Sequence, residues 1–242
     1  MQIKIDNAKY MAECVKAVAS LIDEANIEFT KEGLNILAMD NTSIALVDFN
    51  MPSNAFSKYE VENNEKLGVD FEKLDKILSR ARDGDSLTLK RDKGDKFTII
   101  FSQGNSSRQY KINSIEINKE AKKITPKIEA KFEIRKSEFE TDLKDATMLS
   151  VFFLKFSISK NKLNIKAKGD IGELDNDCNL EIASDNEVEG TFNLEYLSAM
   201  IKGCDKDSNI NITLANNEPI SLSYNIGDAK LMFVLAPYME EE

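Results

Sequence analysis

The sequence predicts an α+β fold built from one unit written twice. Three observations carry this expectation. Apolar residues alternate with period two through many short segments, as in antiparallel strands with one buried face; four segments switch to helical spacing; and both patterns recur in step in the second half of the chain. With 10 Gly and 4 Pro in 242 residues, the turns between these segments must be short, as at Asp83-Gly84-Asp85, Lys93-Gly94 and Asn216-Asn217.

Taken in order, Met11, Val15, Val18 and Ile22 share one face of a first helix. Phe71, Leu74, Leu78 and Ala81 do so in a second, with Asp70 placed to cap it. Strands follow at Leu87/Leu89 and Phe97/Ile99/Phe101. The polar stretch 113–129 lacks sustained periodicity and reads as a connector, with Ile124 and Ile128 expected to lie against the surface. A third helix carries Phe139, Leu143 and Ala146, and strands continue at Leu154/Phe156/Ile158 and Leu163/Ile165/Ala167. Asn193 caps a fourth helix bearing Leu194, Leu197 and Ile201. The last strands are Ile210/Ile212/Leu214, Ile220/Leu222/Tyr224/Ile226 and Leu231/Phe233/Leu235.

The repeat is specific in its spacing. Asp70-Phe71, Leu74, Ile77-Leu78, Leu87 and Leu89 return 123 residues later as Asn193-Leu194, Leu197, Met200-Ile201, Ile210 and Ile212. Met11, Val15 and Val18 return as Phe139, Leu143 and Ala146 at a shift of 128, and Leu34-Asn35-Ile36 as Leu163-Asn164-Ile165 at 129. Two similar domains are therefore expected, 1–112 and 130–242, joined by 113–129.

Composition excludes much chemistry. There is no histidine and no tryptophan, so Ser-His-Asp and Cys-His catalysis, a His general base and His-ligated metals are impossible. Cys14, Cys178 and Cys204 are widely separated and read as reduced thiols. The net charge of −10, from 42 acidic and 32 basic residues, argues by itself against a nucleic-acid binder. The first residues show no basic region followed by an apolar run, and no stretch approaches 18 apolar residues, which predicts an intracellular, cytoplasmic or nucleoid protein without a membrane partner.

No nucleotide-binding, zinc-protease or nucleophile-elbow motif occurs, and neither cofactor nor metal is expected. Asp205-Lys-Asp-Ser-Asn209 begins like a calcium loop, but Ile210 stands where glycine is needed, so it reads as a turn. The acid pairs Asp83/Asp85 and Asp175/Asp177 sit in turn contexts, and Glu240-Glu241-Glu242 reads as a solvated tail. Opposite the apolar stripes, the helices present Lys9, Glu13, Lys16 and Ser20; Glu72, Lys73, Lys76, Ser79 and Arg80; Ser137, Glu140, Thr141 and Lys144; and Glu195, Ala199 and Lys202. Lys16 and Lys144 occupy equivalent positions in the repeat. These faces fit either a solvated surface with Glu72–Lys76 and Glu140–Lys144 pairs or a weakly cationic surface.

Leu21-Ile-Asp-Glu-Ala25, Ala38-Met-Asp40, Ser43-Ile-Ala-Leu-Val47, Phe56-Ser-Lys-Tyr59, Gly68-Val-Asp70, Lys76-Ile-Leu78, Pro219 and Leu235-Ala-Pro237 complete the pattern. Through these stretches essentially the whole chain resembles the sliding clamps of the proliferating cell nuclear antigen type, archaeal members above all. The resemblance implies a non-enzymatic trimeric ring around double-stranded DNA, read without regard to sequence, that tethers DNA polymerase, the clamp loader replication factor C, flap endonuclease and DNA ligase through hydrophobic-aromatic peptide motifs. It places Lys9, Lys16, Lys76, Arg80, Lys144 and Lys202 toward DNA. It assigns a partner pocket to Met39, Ile44, Leu46, Ile124, Pro126, Ile128, Pro219, Leu235, Ala236 and Pro237. It assigns the subunit interface to edge strands 108–112 and 177–182, with Arg82, Arg108, Tyr110, Ile112, Cys178, Leu180 and Ile182, and sets Arg80, Arg82 or Arg108 against Glu138, Glu140 or Asp142. Tyr238 departs from the family, which usually has a basic residue there. A subunit of a heterotrimeric or checkpoint-type clamp is the alternative within the family, and a histidine-free acid/base hydrolase using Asp83, Asp85 and Asp175 the alternative outside it.

Overall fold

The computed structural model describes residues 1–91, 96–160, 162–184 and 186–239. The turn expected at Lys93-Gly94 and the tail Glu240-Glu241-Glu242 lie outside the described residues. The chain divides into two compact units. Unit 1 holds 1–41, 47–123 and 225–231; unit 2 holds 42–46, 124–224 and 232–242. The sequence-based division at 113–129 differs in two ways: the connector is shared between the units, and each repeat lends the other one short segment.

In unit 1 the elements are β1 (Gln2–Ile5), α1 (Ala8–Ala19), β2 (Glu24–Phe29), β3 (Gly33–Met39), β4 (Ala45–Pro52), β5 (Lys58–Glu60), β6 (Glu65–Asp70), α2 (Phe71–Leu78), β7 (Ser86–Arg91), β8 (Lys96–Gln103) and β9 (Ser106–Asn113). They repeat in unit 2 as β10 (Ala130–Arg135), α3 (Lys136–Met148), β11 (Phe153–Ser159), β12 (Lys162–Lys168), β13 (Glu173–Asn179), β14 (Ala183–Ser184), β15 (Val188–Asn193), α4 (Leu194–Met200), β16 (Asn209–Leu214), β17 (Ile220–Ile226) and β18 (Ala229–Leu235). The shifts read from the sequence are those of the elements. α1 and α3 start 128 residues apart, α2 and α4 start 123 apart, and β3 and β12 start 129 apart.

Pairing repeats as well. Unit 1 has a sheet ordered β5-β1-β7-β8-β9, and unit 2 matches its first four strands with β14-β10-β16-β17. The ladders β3-β2-β6 and β12-β11-β15 correspond too, all antiparallel. Within each unit the two helices pack together. In unit 1, Met11, Val15, Leu74 and Leu78 meet Ile3, Ile27, Ile36, Leu87 and Ile99 around a wholly apolar cavity of about 40 Å³. In unit 2, Phe139, Phe156 and Phe192 meet edge to face, with centroids 6.2 and 5.9 Å apart.

The caps explain why the helices begin where they do. Asp70 Oδ1 accepts the Lys73 N–H at 2.9 Å, and Asn193 Oδ1 accepts those of Glu195 and Tyr196 at 2.9 and 3.2 Å. Asn7 caps α1 in the same way. Two apolar positions assigned to helices lie beyond them. Ile22 is buried after α1 has closed on Val18, and half-buried Ala81 lies in the turn after α2, because i→i+3 bonds tighten each exit while the side chains keep nearly helical spacing. Ala199, expected on an outward face, is buried. α4 is only seven residues long, and its buried set of Leu194, Leu197, Ala199 and Met200 spans more than a narrow stripe. Asn217 takes a left-handed φ of 52° in the expected turn, a conformation Asn tolerates.

Candidate functional site

Three surfaces carry the residues singled out above. On the helices, Lys9, Lys16, Lys76, Arg80, Lys144 and Lys202 are all exposed. Half of them are neutralised locally. Lys9 Nζ lies 2.6 Å from Asp83, Lys76 pairs with Glu72, and Lys144 Nζ lies 3.2 Å from Glu140, which also holds the buried Lys136 at 2.8 Å. Both i,i+4 pairs expected from the sequence are thus present. Lys136 lowers the Glu140 carboxyl below the usual range, with Lys144 adding to it. Lys16, Arg80 and Lys202 have no ion-pair partner among the described residues. Each unit thus presents only a few exposed cations on its helices, some of them paired locally.

The second surface is a pair of strand edges. β9 ends the five-stranded sheet of unit 1, and β13 ends the four-stranded sheet of unit 2, so each leaves one side of its ladder open among the described residues. β9 carries Arg108, half-buried Tyr110, which meets Phe101 edge to face at 6.0 Å, and half-buried Ile112. Arg108 is engaged inside unit 1: it pairs with buried Asp85, donates to the Arg80 carbonyl at 3.0 Å, and lies 5.0 Å over the Phe101 ring. Asp142, proposed from the sequence as an acidic partner for such an arginine, accepts Asn176 Nδ2 at 2.7 Å. Burial pushes its carboxyl above the usual range despite that bond, and Asp145 and Glu138 add to the rise. Exposed Arg82 has no side-chain ion pair among the described residues.

The expected edge 177–182 needs correction. β13 runs Glu173–Asn179, so Leu180 and Ile182 lie beyond it, and Ile182 is buried in unit 2 beside β14. The alternation that looked like one strand continues across the strand end. Cys178 remains on β13, half-buried, with Asn176 Nδ2 at 3.6 Å from its sulfur. Sequence reasoning missed three exposed apolar residues of unit 2: Met148 and Phe152, each 76% exposed, and Ile171 at 71%. The turn carrying Ile171 packs on Leu149, since a Cβ at Gly169 would stand 2.2 Å from the Leu149 carbonyl oxygen. The run Val151-Phe152-Phe153-Leu154 gave no signal for this, because Phe152 is in phase with buried Leu154, Phe156 and Ile158 yet precedes the start of β11 at Phe153, where the alternation no longer holds.

The third surface gathers around 42–46 and 235–238 in unit 2. Ala236 N donates to the Ile44 carbonyl at 2.9 Å, and Ile44 is 39% exposed. Leu46 and Leu235 are fully buried core residues and offer no accessible side chain. Pro219, Ala236 and Pro237 are half-buried, as are Ile124 and Pro126. Ile128 is 60% exposed, contrary to expectation. Its neighbour Glu129 is the anchored residue: its N–H donates to Leu214, and its carboxylate accepts from Asn216 and pairs with Lys127, leaving Ile128 turned outward. In unit 1, half-buried Met39 lines a separate groove of about 260 Å³ with Ala25, Leu37 and connector residues Ile117 and Glu120. Lys66 borders it, bridging Glu28 at 2.8 Å and Glu120 at 2.9 Å, and both partners raise its ammonium above the usual range.

The acid pairs have structural employment. Asp85 accepts the Arg82 N–H at 2.7 Å besides pairing with Arg108. Asn164 bridges Asp175 and Asp177 at 2.6 and 2.9 Å, and the two pair with Lys166 and Lys162. Asn164 chiefly lowers Asp175 and Lys162 chiefly lowers Asp177, the reverse of what a general acid at neutral pH needs. Asp205 accepts the Asp207 N–H at 2.9 Å and forms a turn. Burial raises the thiols of Cys14 and Cys204 to about 12 and about 11, and that of Cys178 as well. Among the described residues no helix is long and apolar enough to cross a membrane.

Residues 1–121 match the family model for the N-terminal domain of proliferating cell nuclear antigen, and residues 126–239 match that for its C-terminal domain. Curated relatives include proteins described as DNA polymerase sliding clamps. That of Thermococcus onnurineus is 34% identical and that of Pyrococcus furiosus 33%, each over 99% of this chain and 99% of its own length. A crystal structure of proliferating cell nuclear antigen from Thermococcus kodakaraensis superposes with a TM-score of 0.90 at 23% identity, covering 98% of this chain and 99% of that one.

Proposed function

The chain belongs to the proliferating cell nuclear antigen family, and from that premise we propose that it is a DNA polymerase sliding clamp that holds polymerase on duplex DNA by enclosing it. The observation that carries this reading is likeness to curated sliding clamps over 99% of both chains. Three copies close head to tail, the β9 edge of one meeting the β13 edge of the next, so that the open ladder groups find partners. Arg82, Arg108, Tyr110 and Ile112 flank one side of this junction. Cys178 and Leu180 flank the other.

Lys9, Lys16, Lys76, Arg80, Lys144 and Lys202 face the enclosed DNA. Topological linkage requires little affinity, and each firmly neutralised phosphate would slow sliding, so partial pairing of these cations suits the task. Replication factor C, flap endonuclease and DNA ligase join polymerase as partners. Their hydrophobic-aromatic anchors dock on Ile44, Pro219, Ala236 and Pro237, while buried Leu46 and Leu235 support these positions from the core without touching the anchor. Ile124, Pro126 and Ile128 are further proposed contacts in unit 2, and Met39 is a proposed contact of its own in the unit 1 groove.

Light scattering at near-physiological salt tests the ring. A mass three times the 27.2 kDa of the chain is expected. A monomer that trimerises only with a sister chain returns the heterotrimer, and a monomer under all conditions overturns the reading.

A further inference from the structure

The cavity inside unit 1 lies apart from all three surfaces. Its volume is about 40 Å³, and the described side chains that line it are hydrocarbon throughout except for the sulfurs of Met11 and Cys14. β1 and β2 supply Ile3 and Ile27, α1 supplies Met11, Cys14 and Val15, and α2 supplies Leu74, each at most 6% exposed.

The repeat explains why space is left here. Ile3 pairs with Leu89 where Phe132 pairs with Ile212, and Ile27 pairs with Leu67 where Phe156 pairs with Gly190, the partners lying 123 residues apart in both cases. Met11 corresponds to Phe139, and Val15 to Leu143, at the shift of 128 that relates α1 to α3. Unit 1 therefore carries smaller side chains at four positions that unit 2 fills with three phenyl rings and a leucine.

The lining also decides what the space accepts. A buried water needs two to four polar partners, and a wholly apolar cavity stays dry. The Cys14 thiol is a weak donor, and burial pushes it up to about 12, so it brings no charge to the wall. Atoms around an empty space forfeit dispersion contacts, which an apolar guest restores. The volume is roughly a quarter of that of an engineered apolar cavity of about 150 Å³ that admits benzene, so the guest must be smaller than a six-membered ring.

We propose that unit 1 contains an internal binding site for one small, uncharged apolar guest of about the size of a xenon atom. Local opening of the unit admits it. The guest binds the folded unit alone and so stabilises it by mass action, with no need of DNA or a second subunit.

Xenon itself is the probe. The full-length chain, labelled at its Ile, Leu, Val and Met methyl groups, is titrated with dissolved xenon and followed by NMR. Saturable shifts are expected at Met11, Val15, Ile27 and Leu74 and none at Leu143 and Leu197, and the denaturant midpoint is expected to rise with xenon. Val15→Leu and Ile27→Phe each copy the residue of unit 2. Each is expected to weaken xenon binding about fourfold or more, the worth of about one methylene of apolar contact, and to remove most of the xenon-dependent rise in midpoint. Val15→Leu, the smaller change, decides the matter if Ile27→Phe fails to fold. Shifts that do not saturate, shifts equal in the two units, or native xenon affinity in a folded filled variant overturn the site.

Discussion

Lys16, Arg80 and Lys202 differ from Lys9, Lys76 and Lys144 in that only the latter three sit against a carboxylate among the described residues. That difference makes a prediction. Replacing any of the first three with alanine weakens residual DNA binding and lowers the salt slope by about one, whereas replacing any of the second three does less, because a paired cation has less charge to offer. Salt titration of DNA binding measures both. The i,i+4 pairs were legible from spacing, but Lys9–Asp83 joins residues 74 apart and only the folded chain brings them together. Asp142 supplies a pH prediction. Burial raises its carboxyl in the folded state, so the folded state holds its proton to higher pH, and stability falls as pH rises from the ordinary carboxylate range through the raised value. Asp142→Asn keeps an Oδ1 acceptor for Asn176 and removes this penalty. Denaturant midpoints are expected to rise in the variant at about pH 7.5 and to match the native chain at about pH 2.5, where Asp142 is protonated in both states.

At the scale of elements, three substitutions separate helix starts from connector attachment. Asp70→Ala and Asn193→Ala remove equivalent caps, and each is expected to cost about 1 kcal/mol in equilibrium unfolding. Gly68→Ala acts on the connector. A Cβ there would stand 2.1 Å from the Ile115 carbonyl oxygen, where Ile115 N now donates to Gly68 at 3.0 Å, so the connector must be displaced. Limited proteolysis within 114–123 is expected to accelerate, with the ties from Asn26 to Ile117 and Lys123 to Asp48 under strain. Helices and most strands were legible because apolar period and capping residues agree locally. Strand ends were not: Ile182 continues the alternation yet turns inward beside β14, and Phe152 sits in an apolar run yet faces out. Period alone cannot register where a strand starts or stops.

At the scale of the whole molecule, the duplication was the most legible property, because a shift of 123 to 129 residues moves every element onto its counterpart. The surfaces that act between molecules were less legible. Leu46 and Leu235 look like pocket residues in sequence and are core in the fold, whereas Met148, Phe152 and Ile171 look like core and are exposed. Charge at this scale fits enclosure better than attraction: a chain of net charge −10 with sparse helix-face cations has little to hold DNA with except closure. Retention on DNA after loading by replication factor C tests that claim most directly. On a closed circular duplex the protein is expected to stay bound through a high-salt wash, and a single cut that linearises the circle is expected to release it. Equal retention on circular and linear DNA, or loss from the intact circle as salt rises, would contradict enclosure.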